Sequence, residues 1–421
     1  MCLDGFSYYS HYFCPMQREN TKPNFEFIAM MASLMSIVAL AIDALLPAIA
    51  DIGISINSLD PTKNQLLVIM IFLGLGVGQL FFGPLSDSWG RKPIVYLGFG
   101  VFAVASVICL LAPNLEIMLI GRVLQGVGLS APRTISISII RDTFYGDYMA
   151  KIMSFVTAFF ILVPIVAPAF GKAVMGLLGW EGIFYVQLFF ALVIALWFWR
   201  RQEETLRPEF KVPFSMKVFL KGTKEIFRHK ETVSCTLISG LITGSFLVYL
   251  SSAQHVFEDL YGLADSFPFI FAGLAISIGF STLMNGNLVM RFGMRNLSFA
   301  ALLAYTTVAF AYTFIFWNDA DPSISVLLSF LSVLFLCLGF VWGNMRSIAM
   351  EPIGHIAGIG AAITGFISTI LSIPISIFIG SFVENTVWPL FAGLGVSGLL
   401  SVLLFVAFRT RPIFAKNHAY K

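Results

Sequence analysis

The sequence predicts an all-α membrane protein with twelve transmembrane helices in two pseudo-symmetric six-helix bundles. Three observations carry that prediction. Hydrophobic residues fill 58% of 421 positions and charged residues only 12%, about half the charged share of a soluble domain. Twelve apolar stretches approach the ~20 residues that a helix needs to cross a hydrocarbon core about 30 Å thick. A short glycine-bounded pattern also recurs at the same place in each half of the chain.

The apolar stretches of the first half run near 25–50, 65–86, 93–112, 116–140, 150–177 and 181–199. Those of the second half run near 232–254, 266–290, 297–317, 323–346, 354–382 and 388–408. Turn-forming residues divide them, as at Asp60-Pro61, Pro113-Asn114 and the run from Asn318 to Pro322. Alternate loops differ in charge. One set holds Arg18, Lys22, Arg91, Lys92, Arg141, Lys151, Arg291, Arg295 and Arg346. The other holds Lys63 and Lys172 but is otherwise acidic, with Asp51, Asp60, Glu116, Glu181, Glu258, Asp259, Asp265, Asp319, Asp321 and Glu384. The positive-inside bias then places both termini in the cytoplasm, in a plasma (bacterial-type inner) membrane.

Five regions follow: a cytoplasmic tail at 1–24, a first bundle at 25–199, a linker at 200–231, a second bundle at 232–408 and a tail at 409–421. The first 24 residues lack the apolar core of a signal peptide, so insertion rests on the first span. The linker carries nine basic residues from Arg200 to Lys230. Within it Met216, Phe219, Leu220, Ile226 and Phe227 fall on one helical face, and Lys217, Lys221, Lys224 and Arg228 on the other, the pattern of an amphipathic helix at a membrane surface. The recurring pattern is Gly83 to Gly90 followed by Arg91 and Lys92, matched by Gly286 to Gly293 followed by Met294 and Arg295. Such duplication is a feature of transporters that rock around a central site.

Cys2, Cys14, Cys109, Cys235 and Cys337 show no paired spacing, and His11, His229, His255, His355 and His418 are scattered, so no metal site is expected. No cofactor motif is present. A net charge of +3 gives no reason to expect a nucleic-acid partner. The expected partners are the lipid bilayer, a small molecule and protons, with a monomer as the default.

Ionisable residues inside spans are costly and therefore functional candidates. Asp43 in the first span and Arg122 in the fourth lie at similar depth, because the two helices run in opposite directions. A carboxyl poised between burial and an arginine can exchange protons; the alternative is a static ion pair. Gln125 lies one turn beyond Arg122, and Arg133 lies eleven residues beyond it, about 16 Å along the axis. That polar stripe suggests a cavity-lining face. Glu351 and His355 flank Pro352 as second-half contributors, with helix-start and packing roles as the alternatives.

These residues resemble a known family. Gly83-Pro-Leu-Ser-Asp87-Ser-Trp-Gly90-Arg91-Lys92 resembles the signature loop of the major facilitator superfamily, and Leu119 to Gly128, with Arg122, Gln125 and Gly126, resembles the fourth-helix motif of its proton-coupled members. Asp43-Ala-Leu-Leu-Pro47, Arg141-Asp142 and Met350 to Gly358 are similar to the bicyclomycin/chloramphenicol-resistance (Bcr/CflA) branch of drug:proton antiporters. The resemblance spans nearly all of 25–408. It implies export of small lipophilic molecules in exchange for protons, not catalysis. It further implies a conformational latch of Gly83, Asp87, Gly90, Arg91, Lys92 and Asp142, in which Asp87 meets the amino end of the eleventh helix and Arg91 reaches Asp142. It implies a fifth-helix kink at Pro164, Pro168 and Gly171. Ala167 and Lys172 stand where that motif has glycines, Met290 replaces the aspartate of the second-half loop, and Met35 occupies the position of a second carboxylate found in some related exporters. Import of a nutrient is the alternative within transport. A receptor or intramembrane enzyme is the alternative outside it, although no paired carboxylates, HExxH or Ser/His arrangement is present.

Overall fold

The computed structural model describes residues 25–408 except 59, 145, 207, 212–215 and 318–320. The two tails lie outside the described residues. Among those described there is helix and connection but no strand, as expected where every backbone polar group must be satisfied within lipid.

The first span is built from three pieces: α1 (Phe25–Asp43), a 3-10 turn (Leu46–Ala48) and α2 (Ile49–Ser55). Pro47 explains the break. Proline cannot donate to the carbonyl four residues earlier and its ring crowds that carbonyl, which here belongs to Asp43, the last residue of α1. After a short α3 (Pro61–Asn64) come α4 (Leu66–Trp89), α5 (Arg91–Leu110), α6 (Leu115–Thr143) and α7 (Gly146–Arg201). Among the described residues eleven segments are long and apolar enough to span a membrane, and one of them, Leu162–Arg201, has 40 residues. At 1.5 Å per residue that is about 60 Å, twice the hydrocarbon thickness. Gly179 divides it, with φ 72° and ψ −178°, a conformation open essentially to glycine alone. The fifth and sixth spans are the two arms of α7, and the spans among the described residues number twelve. The backbone stays helical through Pro164 and Pro168; the departure from helical geometry in α7 is at Gly179.

A linker helix, α8 (Met216–Ile226), leads to α9 (Lys230–Gln254), α10 (Phe267–Phe292), α11 (Met294–Ile315), α12 (Ile324–Met350), α13 (Ala357–Gly380) and α14 (Trp388–Phe408). Gly222 and Ile226 of α8 pack against Ile359, Ile353 and Ile363 around the start of α13, while Lys221, Lys224 and Arg228 stay exposed. Gly90 (φ 114°) and Gly293 (φ 80°) turn the α4–α5 and α10–α11 hairpins, so the repeated sequence pattern is a repeated backbone feature. Large apolar side chains cover the outside, among them Leu177, Phe269, Phe314 and Leu403. In water such a surface would associate; here it is the lipid-facing girdle.

Close glycine packing joins helices inside each bundle and across them. A Cβ on Gly126 would lie 2.0 Å from the Ile71 carbonyl oxygen, and one on Gly74 would lie 1.9 Å from that of Val123, so α4 and α6 touch backbone to backbone. Between the halves, α4 runs along α13, with Gly76 beside Thr369 and Gly380 beside Gln65. The ends of the bundle differ in charge. The hairpins at Gly90 and Gly293 and helix α8 share a basic end; the α9–α10 connection lies at the acidic end. Gly126→Val is expected to abolish recovery of monodisperse protein in mild detergent, whereas Gly100→Val, whose Cβ meets nothing within 4 Å, should leave both yield and melting temperature unchanged.

Candidate functional site

The break in the first span is the centre of the site. In an unbroken helix the Ala41 carbonyl would accept from the Leu45 amide. Here Leu45 donates to Ile42 at 3.3 Å instead, and the Ala41 carbonyl accepts from Arg122 Nη1 at 3.3 Å. Arg122 Nε donates to the Leu67 carbonyl at 2.8 Å, and Nη1 also donates to Gln125 Oε1 at 2.8 Å. Gln125 in turn donates to Ser106 Oγ at 2.7 Å. One arginine thus ties α1, α4 and α6 together through neutral acceptors.

Asp43 and Arg122 are not an ion pair. The Asp43 carboxyl is buried at 5% exposure and has no hydrogen-bond or ion-pair partner among the described residues. Two other elements close around it. Gly171 of α7 abuts Ala44, where an added Cβ would lie 2.0 Å from the carbonyl oxygen. Gln254 of α9 donates to the Pro47 carbonyl at 3.3 Å, and the buried Tyr249 of α9 is close enough to Asp43 to feel its charge. A partnerless carboxyl therefore sits where the first bundle meets the second. Tyr249, whose hydroxyl has no partner, was not singled out by sequence. A tyrosine in a Phe-rich span carries no distinguishing signal.

The sequence expectation that Gln125 lines a cavity is corrected. Arg122 and Gln125 are both 0% exposed, hydrogen-bonded to α1, α4 and α5 through all but the Arg122 Nη2, which has no partner, and face the interior of the first bundle. Met35 is likewise buried in the core. Arg133, on the same helix, is only half-buried, so the predicted stripe divides into a packed part and a partly exposed part.

At the basic end, Arg91 gathers the hairpin. Its Nε donates to Asp142 at 2.8 Å, and its Nη1 donates to Asp87 at 2.5 Å and to Ser86 Oγ at 2.7 Å. Asp87 thus meets Arg91. Gly83 has only Thr134 nearby. Glu204, just beyond α7, accepts from the backbone amides of Arg91 and Lys92 at 3.0 Å each, capping the first turn of α5, where the helix dipole favours an anion. Lys92 Nζ reaches the Trp199 carbonyl at 3.3 Å. The second half has its own version: Arg295 donates to Glu231 at 2.9 Å and to Glu351 at 2.6 Å. Glu204 and Glu231 were missed because no local pattern shows that a linker folds back on a hairpin. The side chain of His355 lies outside the described residues. At the acidic end Lys172 donates to the Ala264 carbonyl at 2.6 Å and to Asp265 at 2.9 Å, bridging α7 to the α9–α10 connection of the other half. No group of His, Cys, Asp and Glu among the described residues could hold a metal.

A twelve-span, two-bundle membrane protein with a buried carboxyl at its central seam and arginine clamps at the hairpins of one end is a secondary transporter in architecture. The chain matches the Major Facilitator Superfamily over residues 27–379 and belongs to that family. It is 29% identical over 389 residues to the uncharacterized MFS-type transporter YdgK of Bacillus subtilis (strain 168), covering 90% of this chain and 94% of that one. It is 24% identical to a bicyclomycin resistance protein homolog of Haemophilus influenzae, with 94% and 99% covered. Identity to the multidrug resistance protein MdtL of Escherichia coli O157:H7 is 22%, with 94% and 98% covered. Among solved structures, a D-xylose-proton symporter superposes with a TM-score of 0.71 at 15% identity, covering 91% of this chain and 98% of that one. A bacterial homolog of the lysosomal transporter Spinster gives 0.63 at 17% identity, covering 92% and 95%. These likenesses establish the fold.

Two predictions follow from this geometry. Gln125→Leu removes the side-chain acceptor of a buried guanidinium and should destabilise by about 1–3 kcal/mol, read as a lower melting temperature in detergent with ligand affinity retained. The Lys172 hydrogen bond and charge hold the Asp265 carboxyl below the usual carboxylate range. A depressed pKa means that the bridge is intact above the ordinary value of about 4 and is lost as pH falls through the lowered one. The separation of spin labels placed on α7 and on the α9–α10 connection, read by pulsed EPR, should stay constant from pH 8 to 5 and lengthen only under stronger acid, with Lys172→Gln lengthening it throughout.

Proposed function

We propose that this transporter exports small, lipophilic molecules in exchange for protons by alternating access of its two bundles, 25–199 and 232–408, with the linker 200–231 between them. The basic end is the cytoplasmic one, both termini are cytoplasmic, and the protein resides as a monomer in a bacterial-type inner membrane, in keeping with the bacterial relatives named above. The observation that carries the reading is Asp43, a buried carboxyl without a partner, placed at a helix break and enclosed by elements of both halves.

An uncompensated carboxylate in such surroundings is strongly unfavourable. Rocking the halves apart moves α9 away from the Asp43–Pro47 segment and admits water. The same side chain then has a solvated environment in one state and an enclosed one in the other, so proton uptake and release are tied to the conformation. Arg122 supports this by holding the Ala41 carbonyl, which fixes the end of α1 and hence the position of Asp43. Lys172 with Asp265 serves as a latch between the halves on the outer side, while Arg91 with Asp87, Asp142 and Glu204 holds the cytoplasmic end of the first bundle together so that it moves as one body. The resistance-associated names of two relatives favour drugs or metabolites as cargo.

The test compares dye efflux from cells carrying the wild type or Asp43→Asn, with and without a protonophore. Gradient-dependent export lost in the variant supports exchange. Export insensitive to both treatments would sink the coupling role of Asp43, and gradient-driven uptake would reverse the direction.

A further inference from the structure

The seventh span does not end with α9 at Gln254. It continues as a π-helical turn, His255–Leu260, a wider winding that occurs mostly as single turns and often at functional sites. At the start of that turn the His255 ring is held on both sides. Nδ1 lies 2.7 Å from Asp259 Oδ2, and Nε2 lies 2.8 Å from the backbone carbonyl oxygen of Glu384, in the connection between α13 and α14. The pair also borders a cleft of about 140 Å³ between the halves, lined by Ile49, Ile54 and Asn64 on one side and by Gln254, His255 and Asp259 on the other. Side-chain exposures of 15% for His255 and 56% for Asp259 put the pair within reach of water at the acidic end.

Both partners of the ring are oxygen acceptors, and that fixes a proton count. A backbone carbonyl can only accept, so Nε2 carries a hydrogen. Nδ1 and Asp259 then share a second proton, whether it resides on the imidazole or on the carboxyl. Either form holds one proton more than a neutral imidazole beside a carboxylate. Without that proton two lone pairs face each other, at Asp259 or, if the ring changes tautomer, at Glu384. One of the two contacts is then lost. The charged groups around the pair are Glu258 on the same turn, Glu384 opposite, Asp51 of α2 and Lys172 of α7. On the α3 side Lys63 pairs with Asp60. Gln254 holds Glu258 at 2.8 Å and Lys172 is engaged by Asp265, so Asp259 is the carboxyl that the ring meets.

We infer that His255 and Asp259 form a proton-binding clasp at the outer mouth, and that its proton ties the end of α9 to the α13–α14 connection. The clasp is separate from Asp43 and rests on the proposed function only for placing the acidic end outside. Its proton comes from outer water through the cleft and returns there. The neighbouring Gln254 donates to the Pro47 carbonyl of the first half, so a clasped turn keeps that seam contact seated and a released one loosens it. The chain beyond the turn is held independently, by Tyr261 on the Pro322 carbonyl at 2.9 Å and by Lys172 on Ala264 and Asp265. Proton release therefore frees one turn without undoing the outer bridge. Histidine is the side chain whose charge ordinarily changes between pH 5 and 8. A contact that needs the extra proton is present on the acid side and lost as pH rises, so acid outside favours a closed outer seam.

The test is amide hydrogen exchange of the purified full chain in neutral detergent from pH 5 to 8, corrected for the intrinsic pH dependence of the rate. In wild type the amides of 256–261 are expected to be at least tenfold better protected at pH 5 than at pH 8, while those of α5 keep the same protection. His255→Ala should leave the turn poorly protected at every pH. Asp259→Asn should protect it at every pH, because an asparagine amide can donate to Nδ1 of a neutral ring while Nε2 still donates to Glu384. This exposed, conservative variant keeps the test decisive if His255→Ala does not fold. The inference is overturned if wild-type protection is flat with pH, or if either variant keeps the wild-type slope. It is also overturned if Asp259→Asn is unprotected at both ends of the range, as a purely structural ion pair would be. Gradient-driven efflux that needs Asp43, together with flat exchange, would leave the export reading intact and remove this one. The expected exchange pattern in a chain whose efflux ignores the protonophore would do the reverse.

Discussion

The structure depends on a missing hydrogen bond. Pro47 cannot donate to Asp43, so the first span stops being an α-helix in the middle of a region where unsatisfied backbone costs several kcal/mol per group. The carbonyls freed around the break need donors, and the packing of three other spans follows from supplying them. Arg122 satisfies Ala41 and is itself held by Leu67, Gln125 and, through Gln125, Ser106. Gln254 satisfies Pro47 from the opposite half. Gly171 has no Cβ because α7 must press its backbone against Ala44. A proline at one position thus requires an arginine, a glutamine and a glycine at three others, and their convergence leaves Asp43 enclosed.

The two arginine clamps show how the same problem is solved twice with different residues. In each half a glycine of positive φ turns the hairpin, and an arginine at the start of the next helix collects acidic groups from neighbouring elements. The first half supplies one acid from the preceding helix, Asp87. The second has Met290 in that place and draws Glu231 from the start of α9 instead. The duplicated feature is therefore a charge-neutralised hairpin, whichever element contributes the carboxylate.

Much of this was legible in the sequence, and the boundary has a physical basis. Spans are readable because hydrocarbon thickness sets a length, and the glycine hairpins are readable because positive φ restricts residue choice. Asp43 and Arg122 stood out because charge is rare in spans. Orientation around a helix axis was harder. Gln125, Arg122 and Arg133 share a stripe by periodicity, yet the first two are fully buried inside one bundle while the third is partly exposed. Periodicity gives the face but not what covers it. Glu204, Glu231 and Tyr249 were invisible for a related reason. Their significance lies in contacts across long sequence separations, and their residue types are ordinary where they occur.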